Sequence, residues 1–171
     1  VDPLLAEVGV QGLDRSLFER LKPYVPHVML TEQYRMNEAV QAFPSRCFYA
    51  DRLVPHATVR DRRLDVSDDA LATLDEELKR RIDPDRPSVW VATDGDVERR
   101  VHAKEAHEVA RTAVALARAW CSSHDLSLER IPDDLLGIVT PFRAQCQAVR
   151  RAIDAQTSGR LTIEIDTVER F

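Results

Sequence analysis

Tyr34 and Arg35 lie at the centre of the run Leu30-Thr31-Glu32-Gln33-Tyr34-Arg35-Met36, where an apolar stretch gives way to an amphipathic one. A phenol ring can stack a purine, and the planar fork of an arginine can clamp a phosphate bidentately, two tasks that a nucleotide site needs side by side. As isolated residues they also read as a packed aromatic and an ion-pair partner for Glu32 or Glu38. A second run, Leu136-Gly137-Ile138-Val139-Thr140-Pro141-Phe142-Arg143-Ala144-Gln145, ends an apolar stretch in Thr-Pro and carries an arginine into the next amphipathic segment. Between Val139 and Arg151 there are three Arg and no acid, a strip that suits a phosphate backbone or a solvated helix face. The third run, Ile165-Asp166-Thr167-Val168-Glu169-Arg170-Phe171, again sets a threonine at the end of an alternating apolar pattern.

Other chemistries find little support. Cys47, Cys121 and Cys146 are odd in number and widely spaced, and each sits in an apolar helical pattern. They read as small buried thiols in a reducing, cytoplasmic setting. His102 and His107 are five apart, off the spacing that puts two ligands on one helix face, so no metal site is expected. Trp90 and Trp120 read as core residues. A Gly-rich phosphate loop is absent, as are paired carboxylates after a strand to hold magnesium. Net charge is −5, which argues against gripping nucleic acid by a bulk positive field. The excess acid is concentrated: residues 61 to 100 hold 12 Asp or Glu against 8 Lys or Arg. No apolar run approaches the roughly 18 residues of a membrane span.

The elements that must position these residues follow from periodicity. At 171 residues the chain suits one domain. Ser16 to Leu21 reads as a helix stopped near Pro23, and His27-Val28-Met29-Leu30 as a buried strand. Asn37 opens a helix that Pro44 should kink or restart before Phe48. Leu64, Leu71, Leu74, Leu78 and Ile82 recur at helical spacing, which predicts a charged surface helix within a polar, acidic insertion over 56–86. Ser88-Val89-Trp90-Val91-Ala92 is bracketed by turn signals as a strand. A long helix is expected over 103–122, a strand over 135–139, a helix over 144–155 and a strand over 161–165. Alternating strands and helices predict an open parallel sheet of about four to five strands with helices on both faces. Ligands of such a sheet collect at the carboxyl ends of its strands, where Tyr34, Arg35, Thr140, Pro141 and Thr167 fall.

Together with Ser16-Leu17-Phe18-Glu19-Arg20-Leu21, Phe43-Pro44-Ser45 and Phe48-Tyr49, the three runs resemble the second RecA-like domain of superfamily 1 helicases of the RNA-decay and senataxin type. The match covers residues 10 to 55 and 135 to 171, and between them only the order of elements. The resemblance implies that Tyr34 stacks on adenine, that Arg35 contacts the terminal phosphate as the catalytic arginine, and that Gln33 shapes the same cofactor site. It implies contacts to single-stranded DNA or RNA from Thr140, Pro141, Arg143, Gln145 and Thr167. Thr140 also reads as a simple helix cap. ATP with magnesium would be held mainly by a preceding RecA-like domain of the same polypeptide, and the present chain, beginning at Val1 in what reads as a loop, would be a fragment without ATPase activity of its own. Two departures stand out: Glu169 occupies a place where the family usually carries Asp, and the sequence stops at Phe171 before the family's Gln and Gly. The competing expectation is a protein-interaction or regulatory domain that keeps the RecA-like fold, with the acidic segment as its partner surface.

Overall fold

A computed structural model describes residues 16–170. Its organising unit is a parallel ladder with two long helices against it. Strand β3 (Gly137–Thr140) pairs in parallel with β4 (Glu164–Thr167), Ile138 opposite Ile165 and Thr140 opposite Thr167. Side chains alternate across a strand, so Ile138, Thr140, Ile165 and Thr167 are buried on one face while Val139 and Glu164 are exposed on the other. Leu161 and Ile163 continue that inward alternation ahead of the ladder.

The buried face is covered by α6 (Ala103–Ser123) and α7 (Arg143–Thr157). Helix α6 offers Ala106, Ala110, Ala113 and Ala117, small side chains that let the two helices approach closely, and α7 answers with Cys146, Val149 and Ile153. Val149 and Ile153 are almost wholly enclosed, a burial worth about 1.5–3 kcal/mol for each such side chain.

A second, shorter ladder stands apart from the first. Strand β1 (Glu32–Gln33) pairs in parallel with β2 (Val54–Pro55), the Val54 and His56 amides donating to the Thr31 and Gln33 carbonyls. Between them runs α2 (Glu38–Phe48), capped by the Asn37 side chain, which accepts from the Val40 amide. The helix passes through Pro44 as one element rather than restarting. Ahead of β1, α1 (Leu17–Leu21) is closed by a reciprocal Ser16–Glu19 capping box but buries none of its residues. After β2 comes the single turn α3 (Ala57–Arg60).

The charged segment that predicts one surface helix forms two, α4 (Asp68–Ala72) and α5 (Glu76–Arg81). Ser67 and Asp75 each accept backbone amides as N-caps, so the second cap starts a new helix where the apolar spacing alone would continue the first. The expected apolar residues nevertheless converge, Leu64, Leu71, Leu74, Leu78 and Ile82 packing on Ala115 and Leu116 of α6. Arg81 and Arg111 pin this seam, Arg81 to Glu77 and Glu108, Arg111 to Asp75 at 2.7 Å and Glu77 at 2.8 Å. Much of the acid predicted to face a partner is thus neutralised internally.

The architecture is α/β and RecA-like, with four strands in parallel pairs. It departs from the expectation in three places. Residues 27–30 and 88–92 form no ladder among the described residues: Val28 is 89% and Trp90 92% exposed, so neither segment gains the burial that would repay ordering it as a strand. The four strands make two separate ladders, and the described helices cover one face of the longer one. Cys47 is exposed, unlike the buried Cys121 and Cys146.

Candidate functional site

The turn after β1 is built by a single side chain. The Gln33 amide oxygen accepts from the Arg35 and Met36 backbone amides at 2.8 and 2.7 Å, and its nitrogen donates to the Met36 carbonyl at 2.7 Å. Three bonds from one planar group hold four residues in a fixed bend, and the amide has no capacity left on the oxygen side for a ligand. Gln33 therefore shapes the site from behind. Tyr34 and Arg35 project outward from the bend, Tyr34 with 59% of its surface exposed.

Tyr34 has a neighbour that the sequence does not reveal. The His56 ring, at the end of β2, lies 4.3 Å from the phenol ring and stacks on it. His56 also caps α3, its Nδ1 accepting from the Thr58 amide. One face of the phenol is thus backed by an imidazole and the other is free to receive a planar group. The Tyr34 hydroxyl donates to Glu32 at 2.9 Å, and that bond, with desolvation and the nearby carboxylate charge, raises its pKa, keeping the hydroxyl protonated. The signal that could have found His56 was its position directly after a strand parallel to the one that Tyr34 follows, but β2 is too short to stand out in the sequence.

At the second ladder the candidate residues behave differently. The Thr140 hydroxyl points inward, donating to the Phe142 carbonyl at 2.9 Å and lying 3.2 Å from the Cys146 sulfur. It does not cap α7, whose N-cap is Phe142 with no side-chain bond. Gln145 is buried and clamps the start of α6: its oxygen accepts from the His102 amide at 2.9 Å and its nitrogen donates to the His102 carbonyl at 3.2 Å. Thr167 is buried, its amide accepted by Asp166. Pro141, Phe142 and Arg143 remain exposed at the mouth of α7, where the first amides lack a capping side chain. Arg100 places its guanidinium 5.6 Å from the centre of the Phe142 ring, a cation-π contact from a loop that the sequence does not single out. Arg150, the second arginine of the basic strip, donates to the Ile165 carbonyl at 3.2 Å and so ties α7 to β4.

Among the described residues no group of three His, Cys, Asp or Glu could hold a metal ion, and no helix is long and apolar enough to cross a membrane.

Two parallel ladders in a RecA-like α/β frame thus carry an aromatic-arginine bend at the end of one strand and a cationic mouth at the end of another. The family model described as an AAA domain matches residues 13–171. The chain belongs to that family and is a helicase-type domain of superfamily 1. It is 30% identical over 176 residues to DNA polymerase alpha-associated DNA helicase A of Saccharomyces cerevisiae, covering 95% of this chain and 24% of that protein. It is 27% identical over 172 residues to an uncharacterized ATP-dependent helicase of Methanocaldococcus jannaschii, with 94% of this chain and 23% of that protein covered. A 3'-5' exoribonuclease of Homo sapiens is 32% identical over 145 residues, 83% of this chain and 4% of that protein. The chain thus spans less than a quarter of the length of these relatives.

Proposed function

We propose that this chain is the second RecA-like motor domain of an ATP-dependent nucleic-acid helicase or translocase, closing over a nucleotide that a preceding RecA-like domain of the same polypeptide holds. The observation that carries the reading is the Gln33-braced bend, which presents an exposed ring and an exposed guanidinium side by side at the end of a parallel strand. Tyr34, backed by His56, offers its outer face to adenine. Arg35 has no ion-pair partner among the described residues, so its charge is available to a phosphate. Magnesium, held by the preceding domain, would neutralise phosphate charge from the opposite side. On this reading the chain alone does not hydrolyse ATP.

The strand runs across the mouth of α7. Arg143 and the uncapped amides at the helix start suit phosphate oxygens, and Pro141 shapes the approach. Thr140, Gln145 and Thr167 act from beneath, fixing the bend of β3 into α7, the α6–α7 junction and the end of β4 on which that surface rests. Such contacts read no base sequence, as a translocating motor requires.

In the longer protein, Arg35→Ala should cut ATP turnover by about 10³-fold while leaving nucleotide affinity within a few-fold, because the contact strengthens as charge develops on the transferred phosphoryl group. Steady-state ATPase rates beside fluorescent-nucleotide titrations measure both. A turnover number equal to that of the parent would remove Arg35 from catalysis.

A further inference from the structure

Arg35 does not stand alone. Beside the bend opens a cavity of about 520 Å³ whose walls include Arg35, Arg62, Arg63, Arg81 and Arg86. Two of these are already matched: Arg63 pairs with Asp85, and Arg81 with Glu77 and Glu108. The guanidinia of Arg35, Arg62 and Arg86 have no hydrogen-bond or ion-pair partner among the described residues, and Asp83 is the one carboxylate that lines the cavity with them. Three unmatched cations from three separate loops, converging on one cavity in a chain of net charge −5, repel one another unless an anion joins them.

The loops are held in place by other means, so the arrangement does not depend on the cations themselves. The Asn37 side chain, which caps α2, also donates to the Arg62 carbonyl at 2.9 Å and ties the 60–63 loop to the bend. The Arg86 amide donates to the Asp83 carbonyl at 2.9 Å in the turn that follows α5. The back wall is apolar, formed by Val40, Leu64, Ile82 and Leu116. An apolar back with cationic forks at the rim suits a compact polyanion of small-molecule size, because each fork can take two oxygens of one phosphate. A nucleic-acid strand needs an open-ended track, and the surface proposed for it lies on the other ladder.

We infer that Arg62 and Arg86 form, with Arg35, a three-arginine pocket for the phosphate chain of a nucleoside triphosphate or diphosphate. The inference rests on the motor reading of Arg35 and extends it. One arginine senses the reacting phosphate, and two from the segment after β2 and α5 bind the chain in both its uncleaved and cleaved forms. The domain would then retain the nucleotide diphosphate through the opening step.

The test uses the longer protein carrying Arg62→Gln, Arg86→Gln, both together, or Arg62→Lys. Affinities for ATP, ADP, inorganic tripolyphosphate and a short oligothymidylate are measured at two salt concentrations, with far-UV circular dichroism as the folding control. Each Gln variant is expected to weaken ATP, ADP and tripolyphosphate about tenfold, the pair more, and to leave the oligonucleotide unchanged. Arg62→Lys should recover only part of the loss, since an ammonium keeps the charge without the fork. Unaltered nucleotide affinity, or a loss confined to the oligonucleotide, would overturn the pocket. Arg35→Ala measured in parallel separates the two levels. If it slows turnover while the Arg62 and Arg86 variants bind normally, the pocket falls and the motor reading stands. If turnover survives Arg35→Ala, the motor reading itself fails.

Discussion

The two ladders use the same kinds of residue for opposite ends. Around β1 and β2 the candidate side chains face outward from a thin scaffold: Tyr34 and Arg35 are exposed, and the nearby arginines at 62 and 86 lack partners among the described residues. Around β3 and β4 a threonine, a glutamine and a second threonine from equally promising motifs are buried in a packed core, the first two hydrogen-bonded within the protein. A motif residue is available for chemistry only where the local packing has not already claimed it. The difference has a physical root. Each buried polar group must find a partner or lose roughly 1–3 kcal/mol, so a dense core recruits most of the donors and acceptors it encloses; among the described residues the buried side-chain exceptions are Gln41 Oε1 and Gln156 Nε2.

Perturbations can sharpen or break that contrast. The largest effect expected is the loss of turnover at Arg35, on the open side. On the packed side, Ile153→Ala should lower stability by about 2–5 kcal/mol, because it empties a fully enclosed site between α6, α7 and the ladder. Urea unfolding followed by circular dichroism reads it directly, and a cost below about 1 kcal/mol would show that the core is loosely packed. Gln145→Ala is expected to cost less, about 1–3 kcal/mol, by stranding the His102 amide and carbonyl at the start of α6. Its diagnostic feature is the ratio of effects. Stability should fall more than strand affinity, and the reverse order would return Gln145 to direct contact with nucleic acid.

The smallest effect concerns pH. His124 sits beyond the end of α6, stacked on Trp120, with Nδ1 on the Trp120 carbonyl at 2.8 Å and Nε2 on Asp65 at 3.1 Å. The Trp120 carbonyl first, and Asp65 after it, raise the imidazole pKa against the lowering effect of desolvation. A raised folded-state value means that the stabilisation is fully present below the unfolded imidazole value of roughly 6.5 and is lost as pH rises through the higher folded value. The melting temperature should therefore decline slightly across that window, and His124→Gln should flatten the decline. A slope of the opposite sign would show that the tie to Asp65 does not hold the protonated ring.

Much of the fold was legible because it depends on near neighbours. The alanine stripe of α6, the inward alternation from Leu161 to Ile165 and the cap at Asn37 are each decided within a few residues. Where the pattern misled, competing local signals had equal strength. Val28 and Trp90 carry strand propensity but found no partner, and the charged helical run split because Asp75 caps as well as its neighbours propagate. The bend at Tyr34 and Arg35 is local for the same reason that the cap is: Gln33 shapes it through amides two and three positions away.

What sequence alone determined, then, is the place of the candidate aromatic-arginine pair, much of the order of elements and the family to which they point, since short-range spacing and hydrogen bonding encode all three. Tertiary structure decided which polar groups are free. Gln145 meets His102 across 43 positions, His56 reaches Tyr34 only through the pairing of β1 with β2, and the arginines at 35, 62 and 86 share a cavity only because three loops fold back on one another. Those encounters depend on the path of the whole chain, and no local periodicity carries them.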